Sequence, residues 1–380
     1  MFDRLLTLPF KGKKSFFLLG PRGTGKTTWI KNRLPNALYL DLLDYSLYRS
    51  LLSNPQHLEA LIPPQYKQWI IIDEIQKIPA LLNEVHRLIE HKQHKFILTG
   101  SSARSLRKKG VNLLAGRALS YHMHPLIATE LGDQFNLKKL LQYGALPSVF
   151  SEQNPKKFLE SYIQTYLKEE VLQEGLTRNL SDFAHFLEIA SFSQGSLINM
   201  NAIARESGIH QKVVINYFTI LDDLLIGYRL PPFKKRAKRR LITHEKFYYF
   251  DVGIYRCLRP TGPLDSPEEV GGIALESLFL QHLRAINDYL QLGFQLFFWR
   301  TSTGHEVDFI AYGEKGLLAF EIKRAKTIDS KSLKGLKAFQ QDYPMAKLFL
   351  IYGGDHEEYH SAVRAIPFEK ALLELPTLLT

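Results

Sequence analysis

The sequence predicts an α/β protein in three parts: a parallel sheet with helices on both faces, a helical middle, and a second sheet segment in the order αβββαβ. Three observations predict it. The apolar run SFFLL at residues 15–19 leads directly into GPRGTGKTT and then WIKNRL, which reads as strand, glycine loop and helix in succession. A second apolar run, WIII at 69–72, stops at two acids, Asp73 and Glu74, as a buried strand does at the ligand edge of a parallel sheet. From Gly271 onward, a long amphipathic pattern is followed by three strand patterns (QLFFWR, EVDFIAYG, LLAFEIKR), a helix and a strand.

The glycine loop matches the P-loop pattern G-x-x-x-x-G-K-[ST] at Gly20, Gly25, Lys26 and Thr27. Gly20, Pro21, Arg22, Gly23, Thr24 and Gly25, continued by Lys26, Thr27 and Thr28, are expected to wrap the phosphates of ATP. Backbone N–H groups and the positive end of the following helix supply the attraction. Lys26 is expected to reach the β and γ phosphates, and Thr27 to offer its hydroxyl to magnesium. Asp73 can hold the same ion, directly or through water, and Glu74 can polarise the attacking water. The plainer reading of these acids is a strand end with two solvated carboxylates. A third strand pattern, KFILTGSS at 95–102, ends at the same edge, where Thr99 or Ser101 can sense the γ phosphate; ALYLDLLD at 37–44 supplies a further strand. Arg117, after a glycine, is read either as a finger toward the phosphate of a neighbouring subunit in a homo-oligomer or as a surface salt-bridge donor.

Residues 156–190 alternate apolar and charged positions at helical spacing and predict a small helical subdomain. Ala202, Ala204, Gly208 and Ile209 then fall as in a helix, a tight turn and a second helix over 210–224, which reads as a winged helix. That second helix should expose Lys212 and Asn216. The run KKRAKRR, from Lys234 to Arg240, is expected to form or flank the wing and offers DNA a basic contact. A solvated hairpin is the competing reading. KFYYFDVGIYRCL should close this part with a strand and a short helix. In the last part, Glu276 lies on the helix, Asp308 on the second strand, and Glu321 and Lys323 on one face of the third, since residues two apart project together.

Composition narrows the classes. With 45% hydrophobic and 23% charged residues, disordered, collagenous and low-complexity chains are excluded. No run approaches the roughly 18 apolar residues that cross a bilayer, and Asp3 and Arg4 stand where a secretion signal has its apolar core, so a cytosolic protein without membrane contact is expected. The single cysteine, Cys257, rules out an internal disulfide and a cysteine zinc site. The 13 histidines lack metal-ligand spacing, and His91 with His94 reads as a solvated face. At roughly 150 residues per domain, the 380 residues suggest domains at 1–125, 126–265 and 266–380. Their net charges are +11, +3 and −3, so an anionic partner suits the first and the basic run of the second.

The motifs GPRGTGKT, IIIDEIQKIP, ILTGSSARSLR and LAGRALSYHMHPL, with EVDFI and FEIKRA further on, resemble the AAA-like P-loop ATPases of bacteria and archaea that carry a C-terminal domain of uncharacterised function. The resemblance implies ATP hydrolysis with Mg2+. One departure is YGALPSVF at 143–150, where the family usually has a glycine pair and an acid around this proline. The order Glu276, Asp308, Glu321-x-Lys323 resembles the restriction-endonuclease-like PD-(D/E)XK core. There, two acids hold a magnesium ion that activates water, and the lysine steadies the nucleophile or the developing charge. A nuclease-derived fold that keeps these residues for salt bridges or DNA binding, without cutting, is the alternative. The chain is therefore read as an ATPase switch for two attached segments. A DNA-binding regulator with ATP as a structural ligand and an ATP-gated DNA nuclease are the other readings.

Overall fold

A computed structural model describes all residues except 1, 103–113, 115–116, 168–170, 172–178, 236–238 and 264. Part of the ILTGSSARSLR and LAGRALSYHMHPL motifs, and the centre of the basic run, lie outside the described residues. The chain divides into two compact units: Leu6–His124 with Asp223–Ile226, and Met1–Leu5 with Pro125–Asp222 and Gly227–Thr380.

In the first unit, strands β1 (Ser15–Leu19), β2 (Leu38–Asp41), β3 (Trp69–Asp73), β4 (Lys95–Gly100) and β5 (Ala118–His122) form one sheet in the order β2-β3-β4-β1-β5. Every pairing is parallel. β1 and β3 are buried along their whole length, which is why both read as unbroken apolar runs: a parallel sheet covered on both faces has no solvent side to alternate with. Helices α1 (Lys26–Arg33), α2 (Tyr45–Ser53), α3 (His57–Ala60) and α4 (Leu81–Lys92) supply the crossovers. The predicted strand over 37–44 is shorter because Asp44 caps α2 instead, accepting from Leu47 N at 2.8 Å. Ile70, Ile72, Leu81, Val85, Leu88, Phe96 and Leu98 pack into the core between β3, β4 and α4.

The second unit opens with helices whose starts are set by asparagine caps: Asn136, Asn154, Asn179 and Asn199 each accept a backbone N–H two or three residues into the helix. Helix Met200–Ser207 ends at Gly208, whose φ of 68° suits a left-handed C-cap, and Gln211–Asp223 follows. Lys212 and Asn216 are exposed on it. Strands β6 (Gly227–Leu230) and β7 (Lys246–Tyr249) pair antiparallel. After helix Pro267–Tyr289 come β8 (Gln295–Arg300), β9 (Glu306–Gly313), β10 (Gly316–Lys323), helix Lys334–Asp342, β11 (Lys347–Tyr352), β12 (Glu358–His360), β13 (Val363–Pro367) and helix Phe368–Leu378. The sheet order is β12-β13-β11-β10-β9-β8, with β10, β11 and β13 parallel to one another.

Two buried polar groups bind distant parts of this unit. Asp251 caps helix Val252–Leu258 and accepts from Ala145 N at 2.8 Å, while Gly144, at φ 74°, leaves no room for a Cβ beside the same carboxylate. This bond joins residues 106 positions apart in the chain. His282, fully buried, accepts from Ala128 N at 2.9 Å through Nε2, and its Nδ1 donates to Leu278 O at 2.8 Å. Burial pushes its pKa down to about 4. Neutral His282 therefore supports the fold above its unfolded value, and that support is lost as pH falls from about 6.5 through 4, about 3 kcal/mol in all. Urea denaturation across this range should show the loss in the native chain, and His282→Gln should flatten that part of the pH dependence.

Candidate functional site

The loop between β1 and α1 is shaped by close approach and by backbone sign. A Cβ on Gly20 would collide with the backbone oxygen of Met123, whose own N–H donates to Leu19 O at 2.7 Å. Gly23 and Gly25 adopt φ of 82° and 90°, where an L side chain is strained. Thr24 Oγ1 donates to Pro21 O at 2.8 Å, and Lys26 Nζ donates to Gly20 O at 2.7 Å and to Pro21 O at 3.1 Å. The buried ammonium is thereby folded over its own loop.

Asp73, at the end of β3 and buried, is the centre of the site. Its Oδ2 accepts from Thr27 Oγ1 at 2.8 Å and from the Tyr39 hydroxyl on β2, and its Oδ1 accepts from Thr99 Oγ1 on β4. Burial and the Asp73 carboxylate hold the Tyr39 phenol well above the ordinary tyrosine range. Lys31 lies over the Tyr39 ring, 3.8 Å from its centroid. Glu74 follows at φ 60° and ψ 44°, a left-handed conformation that turns the chain out of the strand. Its Oε2 accepts from Gln76 Nε2 and, at 3.4 Å, from Ser101 Oγ, and Gln76 Nε2 also reaches Ser101 Oγ at 2.9 Å. Gly100 makes room for Gln76: a Cβ there would lie 2.6 Å from Gln76 Oε1. Lys26, Thr27, Asp73, Glu74, Thr99 and Ser101 are thus gathered at one sheet edge. Tyr39 and Gln76 join them unannounced, since a tyrosine in a strand reads as core and a glutamine after two acids reads as loop.

Arg117 is not at that edge. It precedes β5, and because β5 runs parallel to β1 with Ser15 opposite Ala118, Arg117 lies at the amino end of the strands, about 16 Å, one five-residue strand, from the loop. Its guanidinium pairs with Glu90 on α4. Within its own chain it is a salt-bridge donor, at the opposite end of the sheet from Gly20.

The second unit holds a different polar cluster. Asp308 on β9 and Glu321 on β10 are buried, and Glu276 on helix Pro267–Tyr289 is partly buried. Lys323 Nζ pairs with Glu321 Oε1 at 2.5 Å, and Asp308 Oδ2 accepts from Ile322 N at 2.8 Å. Burial, then the facing Asp308, pushes Glu276 up to about 8. Burial likewise raises Asp308 and Glu321 above the usual carboxylate range. Lys246 of β7 enters the same cluster and pairs with Glu306 Oε1 at 2.5 Å. Among the described residues no group of three or more His, Cys, Asp or Glu side chains is arranged to hold a metal ion.

The basic run does not continue β6 and β7 but crosses to the last sheet. Pro232 bridges Phe298 and Leu241 bridges Thr301. Lys235 Nζ bonds Gln295 Oε1 at 3.0 Å and lies 4.2 Å from the Tyr312 ring centroid, and Arg239 pairs with Asp342 at 3.0 Å. Lys234 and Arg240 are exposed, while Arg236 and Lys238 lie outside the described residues.

Residues 12–132 match the family model described as an AAA domain. This segment is an AAA-like P-loop domain. Residues 134–265 match a domain of unknown function (DUF8612), and residues 271–371 match another (DUF4143). No curated protein sequence matches the chain. Among solved structures, the chain is similar to the Aeropyrum pernix Orc1 protein in complex with DNA at 13% identity, with 64% of this chain and 86% of that one covered and a TM-score of 0.27. Protein VC1899 from Vibrio cholerae is similar at 12% identity, covering 90% and 97%, with a TM-score of 0.24. Scores this low do not establish a shared fold. Among the described residues no helix is long and apolar enough to cross a membrane.

The AAA domain gives a direct test of its hydroxyl cluster. Tyr39→Phe removes one donor to a buried carboxylate and should cost the nucleotide-free domain about 2 kcal/mol, read by chemical denaturation. Nucleotide affinity should stay within a few-fold, because Thr27 and Thr99 still orient Asp73.

Proposed function

We propose that the AAA domain binds and hydrolyses ATP and that this cycle switches the segments attached to it. The observation that carries the reading is the convergence of Thr27, Asp73 and Thr99 beside a loop whose Gly20 position has no room for a side chain. A Mg2+ ion fits this donor set: Thr27 and Asp73 would hold it, and when bound it neutralises phosphate charge. Lys26 exchanges its loop carbonyls for the β and γ phosphates. Glu74 takes the proton of the attacking water once its carboxylate leaves Gln76, and Thr99 or Ser101 senses the γ phosphate. These contacts disappear on hydrolysis, which biases the loop between two states.

In the same reading, residues 1–125, 126–265 and 266–380 act as ATPase, winged-helix and nuclease-like parts, with ATP and Mg2+ as ligands, a cytoplasmic setting and a homo-oligomer in which Arg117 serves a neighbouring copy. Lys26→Ala should weaken nucleotide binding, whereas Glu74→Gln should keep binding and lose about 100-fold or more in turnover, as removal of a general base does. Equal steady-state ATPase rates for Glu74→Gln and the native chain would remove Glu74 from the mechanism.

A DNA contact is favoured by the exposure of Lys212, Asn216, Lys234 and Arg240. Each cation that meets a phosphate adds about 0.9 to the slope of log affinity against log salt. Lys234→Gln with Arg240→Gln should therefore flatten the slope by about 2 in a duplex-binding titration. An unchanged slope would assign both to solubility.

A further inference from the structure

The acid cluster of the second unit takes no part in the proposed ATP cycle, and its order of residues implies a divalent ion. The residues present do not fit one. Four carboxyls, Glu276, Glu306, Asp308 and Glu321, meet three cations, Lys246, Arg300 and Lys323. Lys246, with its side chain 4% exposed, is the buried cation of the three, whereas Arg300 and Lys323 are more than a third exposed. A divalent ion placed among these acids would have to sit against that buried ammonium.

Four of the carboxyl oxygens of this group are engaged. Asp308 Oδ2 takes the Ile322 N–H, Glu321 Oε1 takes Lys323, and Glu306 takes Lys246 on one oxygen and Arg300, at 3.3 Å, on the other. Glu321 Oε2 alone of these is buried with no hydrogen-bond partner among the described residues, and hard divalent ions need several oxygens at once.

We propose that the Lys246 ammonium is the resident cation of this cluster, so that the nuclease-like segment is closed to divalent metal and acts as an anchor for β7. Its backbone fixes it there. Lys246 pairs with Leu230 across β6–β7 and bridges Leu197, its side chain is 4% exposed, and its ammonium also lies 5.4 Å from the Phe298 ring centroid. Burial works against the ammonium, yet Tyr248, Glu276, Glu306 and Asp308 together hold its pKa well above the ordinary lysine range. It stays charged and does not withdraw. One side chain of the middle segment thus neutralises the acids of the last sheet and ties the two together.

The test is Mn2+ binding to the full chain without nucleotide, followed by electron paramagnetic resonance of free Mn2+, in an Asp73→Asn background so that the AAA domain contributes no ligand. The chain with native Lys246 should retain no Mn2+. Adding Lys246→Met should create one Mn2+ site per chain and a melting temperature that rises with Mn2+, and adding Asp308→Asn should abolish both. Folding of the Lys246→Met chain only in the presence of Mn2+ supports the proposal equally. A Mn2+ ion retained beside native Lys246 and lost on Asp308→Asn would overturn it, as would a folded Lys246→Met chain that gains no ion. If Lys246→Met fails to fold with or without Mn2+, the native-Lys246 measurement decides alone.

Discussion

The arrangement of the first unit turns on one carboxylate. Asp73 ends a fully buried strand, where a carboxylate without donors is costly, and donors reach it from α1, β2 and β4 in the form of Thr27, Tyr39 and Thr99. Hydrogen bonds to a charged acceptor contribute about 1.5–3 kcal/mol each, enough to fix the register in which these elements meet. The parallel sheet makes this convergence possible, because all of its strands deliver their carboxyl ends to one side. The loop after β1 and Glu74 then follow as neighbours of that edge.

The two units treat buried acids differently. Asp73 is surrounded by neutral hydroxyls, which orient it without cancelling its charge, so it keeps its attraction for a cation. The acids around Asp308 are met by ammonium and guanidinium groups instead. Resemblance in the order of acidic residues along a chain cannot distinguish these cases, since the deciding group, Lys246, comes from outside the motif.

Much of this was legible in the chain. SFFLL and WIII announced buried parallel strands because both faces are covered, and Gly20, Gly25, Lys26 and Thr27 announced the loop. The αβββαβ succession was equally plain. What stayed hidden depends on pairings between remote residues. Lys246 opens KFYYF, where a charged residue reads as a solvated strand end, and nothing local marks Asp251 as the partner of Gly144. The place of Arg117 at the amino end of the strands depends on strand direction, which only the pairing of β5 with β1 reveals. The basic run read as forming or flanking a wing, and nothing local announced that Pro232 and Leu241, on either side of it, bridge to the last sheet.

The tight seat of Gly20 has a mechanical consequence. Met123 presses its carbonyl against the first residue of the phosphate loop and donates its N–H to Leu19, and two residues later, at Pro125, the chain leaves the first unit. Any side chain at Gly20 would therefore displace the very residue from which the chain runs out of the unit. The glycine required by the loop is equally a requirement of the path that leaves it.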